Sequence, residues 1–104
     1  MTIDERSPWL SYLVEPAGTA AFDTPRCAFT AWRRERTANA TFREYYSQEM
    51  LDAEVLRFVR GSDVIGPMGP EWVPVSTDAA LRFARDHNGA PPLTAHEVLD
   101  SVGP

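Results

Sequence analysis

Sulfur is the softest donor in this chain, and the chemistry it can do is the natural starting point. The chain holds one cysteine, Cys27, and three methionines, Met1, Met50 and Met68. Thiolate and thioether sulfur hold soft metal ions better than carboxylate or water does, so a site of few, exchangeable sulfur ligands is what these residues can support. Met68 is the first candidate. It stands between Pro67 and Gly69, where Gly66 and Gly69 free the backbone to aim its sulfur; the plain alternative is that its flexible chain fills an irregular gap. Cys27 shares a helical face with Ala28, Ala31 and Trp32, which reads as a buried structural thiol. The competing reading is a thiolate readied for metal near a helix N-terminus. Met50, beside Leu51, reads as packing first and as a third sulfur ligand second.

Other chemistries find little support. His87 and His96 each fall near a helix end, where an imidazole needs no metal to explain it. No phosphate-loop or zinc-protease pattern is present, and Gly61-Ser62-Asp63 lacks the Gly-x-Ser-x-Gly arrangement of a nucleophile elbow. Asp52, Glu54 and Asp63 are isolated carboxylates, ordinarily solvated in an acidic chain. The expectation is a protein that is not an enzyme. A lone cysteine also excludes an intramolecular disulfide and a four-cysteine zinc cage, so packing must hold the fold.

A length of 104 residues allows one small domain with one modest core. Fifteen acidic residues against ten arginines give a net charge of −5, so a nucleic-acid partner is not expected. The local cluster Arg33, Arg34 and Arg36 falls where a helix should end, where cations are favourable. No run approaches the roughly 18 apolar residues of a membrane span, and no signal-peptide pattern opens the chain. As written, the chain is expected to be cytoplasmic.

Turn chemistry and apolar spacing place the elements around those sulfurs. Trp9 to Val14 and Thr19 to Phe22 read as a hairpin across Pro16-Ala17-Gly18. Asp23 or Thr24 can cap a helix that opens at Pro25 and runs to about Glu35. Thr41 to Tyr46 and Ala53 to Val59 read as a second hairpin, with a helix as the alternative for the latter run. Residues 61–70 are dense in glycine and proline, which argues for a structured loop without a regular element. Trp72 to Val75 resumes a strand that Pro74 confines to an edge or an irregular position. Ser76 or Thr77 can cap a helix through Ala79, Ala80, Phe83 and Ala84, closed by Asn88-Gly89. Thr94 and Glu97 stand at capping-box spacing for a last helix. The resulting expectation is an α+β fold of two hairpin–helix lobes, about 8–36 and 40–89, with a C-terminal helix at about 94–102. Trp9, Leu13, Phe22, Phe29, Trp32, Val59 and Phe83 are its expected buried residues.

Three segments, taken in order, carry a resemblance: Phe22 to Phe29, Glu44 to Ala53, and Phe58 to Gly69. The last, with Gly61-Ser62-Asp63-Val64-Ile65-Gly66-Pro67-Met68-Gly69, is the most specific. They resemble the NosL family, accessory lipoproteins that help deliver copper to periplasmic nitrous oxide reductase. The resemblance implies lobes of ββα topology, related to that of organomercurial lyase. It further implies that copper(I) is the metal, that Met68 is a ligand, and that the partner is a client cuproenzyme or another copper carrier. Family members usually carry a Cys-x-x-Cys-Gly-Met motif near the amino end, and the chain holds none. Met1 stands where that motif's methionine would, so either the gene product begins further upstream, as a periplasmic lipoprotein, or the motif has been lost. Ligands beyond Met68 would then come from Cys27, from upstream cysteines, from a client, or from a homodimer whose axis brings two Met68 side chains together. The other reading of the same scaffold is an interaction module without metal, using exposed Trp or Tyr surface.

Overall fold

The computed structural model describes residues 5–67 and 69–101. Strand β1 (Ser11–Glu15) turns at Pro16-Ala17 into β2 (Gly18–Phe22), and the chain enters α1 (Pro25–Arg34). Thr24 rather than Asp23 is the N-cap, with its Oγ1 accepting the Cys27 N–H at 3.2 Å. Pro25 follows where a missing N–H leaves nothing unpaired. The face of α1 turned inward is Pro25, Ala28, Phe29 and Trp32, the i, i+3, i+4, i+7 stripe of an amphipathic helix. Arg33 and Arg34 occupy its last turn, as expected from the favourable charge there.

Trp32 fixes the exit from α1 by donating its indole N–H to the Ala38 carbonyl at 2.9 Å. The chain then forms β3 (Asn39–Arg43), which pairs antiparallel with β1, and β4 (Met50–Asp52), which pairs with β3. The sheet order is therefore β2-β1-β3-β4. This differs from the expected second hairpin in two ways. The strand expected over 41–46 stops at Arg43, because Glu44 turns its carboxylate inward to the backbone of Tyr46 and Ser47. The run expected as one strand over 53–59 divides into a 3₁₀ turn (Ala53–Val55) and β5 (Leu56–Val59).

β5 takes a distant partner, β8 (Val73–Ser76), with Val59 opposite Val73 and Arg57 opposite Val75. Side chains alternate across a strand, so this ribbon has two faces. Leu56, Phe58 and Trp72 join the core under the first sheet with Leu13, Phe29, Trp32 and Phe42. Val59, Val73 and Val75 join a second core with Ala80 and Phe83 of α2 (Ala80–Asp86). Phe58 meets Phe29 and Phe42 edge-on, with centroids 4.9 Å apart in both cases. Pro74 sits opposite Phe58, whose N–H and C=O bond instead to Leu93 on the other side of β5. The missing proline N–H is thus spared from the ladder, though Pro74 is buried rather than at an open edge.

Between β5 and β8 the loop 61–70 contains a regular element after all. Ile65–Gly66 (β6) and Gly69–Pro70 (β7) pair antiparallel. Helix α2 begins without the expected Ser76 or Thr77 cap; Ala79 stands at the N-cap and donates its N–H to the Ser76 carbonyl. After Asp86 the chain turns through Asn88, in the left-handed region at φ 55°, to Gly89, where a Cβ would overlap Val59 Cγ1. The last helix, α3 (Ala95–Ser101), carries the expected capping box: Thr94 Oγ1 accepts the Glu97 N–H at 3.1 Å, and Glu97 Oε1 accepts the Thr94 N–H at 2.9 Å. Of the residues expected in the core, Leu13, Phe29, Trp32, Val59 and Phe83 are buried, while Trp9 and Phe22 are half-buried against it.

Candidate functional site

The first turn of α1 and the β6–β7 hairpin meet. The Arg26 N–H donates to Glu71 Oε1 at 2.8 Å, and the same oxygen accepts the Trp72 N–H at 3.1 Å. Arg26 Nη2 reaches back to the Pro70 carbonyl at 2.6 Å. A hollow of about 400 Å³ lies beside this junction, bounded by Arg26, Thr30, Arg60, Pro70, Glu71 and Trp72, with the Arg60 guanidinium 5.5 Å from the Trp72 ring centroid. Glu71 is 5 % exposed, and burial pushes its carboxyl above the ordinary value; the two N–H bonds and the Arg26 charge pull the other way.

Cys27 lies in that first turn, and the structure corrects its expected burial: the thiol is exposed. The inward stripe of α1 runs through residues 25, 28, 29 and 32, which leaves position 27 on the solvent side one turn before half-buried Ala31. Met68 lies outside the described residues. Its neighbours in sequence, Gly66 and Gly69, pair in the hairpin that Arg26 and Glu71 hold. Met50 is half-buried on β4 opposite Arg43. Arg43 and Met50 alternate with Phe42 and Leu51, which face the α1 side, so Met50 is on the other sheet face. It is also three strands across from β2, about 14 Å at the usual spacing. The fold therefore brings the hairpin to the turn that carries Cys27 and puts Met50 on the sheet face opposite α1.

The histidines divide. His87 Nδ1 lies 2.7 Å from Asp63 Oδ1, and its carbonyl accepts the Asp63 N–H, so it ties the start of the loop to the end of α2. Its ring packs on Phe83 and Tyr45. His96 is exposed beside a larger cleft of about 700 Å³ between the end of α1 and the start of α3. Arg36 and Arg57 line that cleft with Asp52 and Glu54, a balance of positive and negative charge. Among the described residues no three His, Cys, Asp or Glu side chains gather to hold a metal. No described helix is long and apolar enough to cross a membrane. Exposed Trp surface is not found at Trp32 or Trp72, which are buried, or at Trp9, which is half-buried; Tyr46 is the exposed aromatic among the described residues.

Glu71 and Glu44 are the residues that sequence reasoning missed. Both are buried carboxylates that add one distant partner to their local ones, Arg26 for Glu71 and Ser76 for Glu44, and no local spacing signals the distant pairing.

The chain is a mixed α+β fold in which the helix turn that exposes a thiol is bonded to the β6–β7 hairpin. The NosL family model matches residues 1–102, so the chain belongs to the NosL family. No curated protein and no solved structure matches it.

Proposed function

We propose that this protein is a copper(I)-binding accessory protein that assists copper-site assembly in nitrous oxide reductase or a similar cuproenzyme. Copper is its cargo, received from and passed to a protein partner. Membership of the NosL family supports the accessory role. The site reading is supported by the Arg26 bridge, which bonds Pro70 on β7 to the turn that exposes Cys27. One thioether and one thiolate suit a soft monovalent ion and hold it loosely enough to be exchanged. A third ligand comes from the client, from a second copy of the chain, or from the amino-terminal segment. That segment's Trp9 packs on the same cluster as Val64 at the hairpin's root.

The test is a competition titration against a copper(I) chelator under reducing conditions, with wild type, Met68→Leu and Cys27→Ser. Wild type should bind copper(I) in preference to zinc(II), and each substitution should weaken it. Leucine keeps the bulk of Met68 and removes only the sulfur. Equal binding by Met68→Leu would remove the hairpin from the site. Loss in Cys27→Ser alone would make the helix thiol the chief ligand. No copper(I) binding by any form would favour the metal-free interaction module, for which Tyr46 is the exposed aromatic surface.

A further inference from the structure

We propose that the hollow between α1 and the root of the β6–β7 hairpin is a carboxylate-binding site, in which the guanidinium groups of Arg26 and Arg60 take up the anionic group. The site uses no sulfur and no metal, and it stands apart from the copper(I) reading.

Strand register explains the position of Arg60. β5 and β8 pair antiparallel with Val59 opposite Val73, so the next residue outward, Arg60, comes across from Trp72. Trp72 is buried, and the Arg60 guanidinium lies 5.5 Å from its ring centroid. A guanidinium held by the face of an aromatic ring keeps the N–H groups in its own plane for an acceptor. Among the described residues the Arg60 side chain bonds no such acceptor. Arg26 comes to the hollow from α1. Its Nη2 bond to the Pro70 carbonyl fixes the guanidinium there and employs part of a fork of donors. Thr30, one turn further along α1, adds a hydroxyl to the wall, and Gly61, at φ 72°, carries the chain away from Arg60 with no side chain in the way.

Glu71 is the charge to be set against the two arginines. It is buried, and its Oε1 already accepts the Arg26 and Trp72 N–H groups, so it belongs to the backbone beneath the hollow. The charged lining is therefore two exposed guanidiniums and one buried carboxyl, a positive site on a chain of net charge −5. The excess of one positive charge matches a carboxylate, which a guanidinium can meet through two parallel N–H bonds. The acidic chain repels anions at a distance, so affinity must come from those short contacts and not from long-range steering. A free small acid and an Asp or Glu side chain of another protein offer the same group.

The test is an NMR titration of the isotope-labelled full chain at fixed ionic strength with acetate, with inorganic phosphate and with a capped Gly-Glu-Gly peptide. Acetate, the peptide or both should give saturable shifts at Arg26, Arg60, Gly61 and Trp72, with a dissociation constant on the order of millimolar. Arg60→Ala should weaken binding by about tenfold or more through loss of charge-assisted bonds, and should keep its fold because the side chain is exposed. Arg60→Lys keeps the charge without the fork and should fall between wild type and alanine. Arg82→Ala is the control: it removes an exposed guanidinium that also lies 5.5 Å from an aromatic centroid, that of Tyr46, outside the hollow. Equal affinity for acetate and peptide assigns the site to a free acid, and tighter binding of the peptide assigns it to an acidic side chain. Shifts that rise without saturating, or that Arg60→Ala and Arg82→Ala diminish alike, would overturn the proposal. Tighter binding of phosphate than of either carboxylate would overturn the choice of ligand. None of these results bears on copper(I) binding.

Discussion

Glu44→Gln should destabilise the fold far more than the loss of one negative charge warrants. Glu44 is 2 % exposed, and its carboxylate accepts three backbone N–H groups: Tyr46 at 3.0 Å and Ser47 at 2.7 Å on Oε1, and Ser76 at 3.0 Å on Oε2. The first two shape the connection after β3; the third holds the end of β8, 32 residues away. Glutamine has nearly the same shape but replaces one oxygen with an NH₂. In its better orientation the amide oxygen keeps Tyr46 and Ser47, and the NH₂ then faces the Ser76 N–H, donor against donor. Removing a charge-assisted bond and leaving a buried N–H unpaired costs about 2–3 kcal/mol. In a domain of this size that lowers Tm by roughly 10–20 °C. Thermal and urea unfolding followed by circular dichroism measures it, with Glu49→Gln as the control, because Glu49 is exposed and loses the same charge. A Glu44→Gln loss no larger than that of Glu49→Gln would refute the reasoning and show that this carboxylate is not a structural acceptor.

Three other outcomes rest on named contacts. Thr94→Ala should remove about 1 kcal/mol and speed amide exchange at Glu97, whose N–H then loses its acceptor. Glu97's bonds to Thr94 hold its carboxyl below the ordinary value, so its contribution is present above that value and disappears as pH falls through the lowered one; Thr94→Ala should shrink that acid limb. Glu71 has the opposite sign: burial raises its carboxyl, so its contribution is complete below the ordinary value and is lost as pH rises through the raised one. The stability difference between wild type and Glu71→Gln, measured by urea unfolding from about pH 4 to pH 7, should therefore fall with rising pH. Cys27 should react with a thiol reagent in the folded protein at a rate within about tenfold of that in the unfolded chain, whereas a buried thiol would be protected.

Local signals are legible in the sequence and distant pairings are not. Thr94 and Glu97 announce a capping box because both partners lie within one turn, and Thr24-Pro25 announces a helix start for the same reason. Leu56 to Val59 cannot announce its partner. It lies between two cores, so it lacks the alternation that marks a half-exposed strand, and β8 returns only after the hairpin excursion. The apolar company of Ala28 and Trp32 suggests a buried Cys27, but one residue of offset on a helix turns a side chain by about 100°. That offset carries the thiol from the core to the solvent. In the candidate site, the glycine-flanked segment is readable from the sequence, while the carboxylate that joins it to α1 is not.

The placement of the hairpin separates what makes the protein stable from what would let it exchange a metal. The β5–β8 ribbon lies between two apolar cores, and Val59 and Val73, its last pair before the loop, are fully buried. On leaving β5 the chain is tied to the end of α2: the Ala90 N–H donates to the Arg60 carbonyl, and Asp63 bonds His87 through both backbone and side chain. On returning to β8 it is tied to α1 through Glu71 and Arg26. The excursion is thus fixed at both roots by polar contacts, Asp63 with His87 at one and Glu71 with Arg26 at the other. Met68 is the sulfur proposed for that excursion, and a functional residue on a loop held by a rigid scaffold is expected to be separable from the packing that folds the chain. It follows that Met68→Leu and Phe58→Ala should sort cleanly. The first should change copper(I) binding at wild-type Tm. The second should cost about 3–5 kcal/mol by emptying the space that the Phe58 ring fills against Phe29 and Phe42, whether or not copper is present.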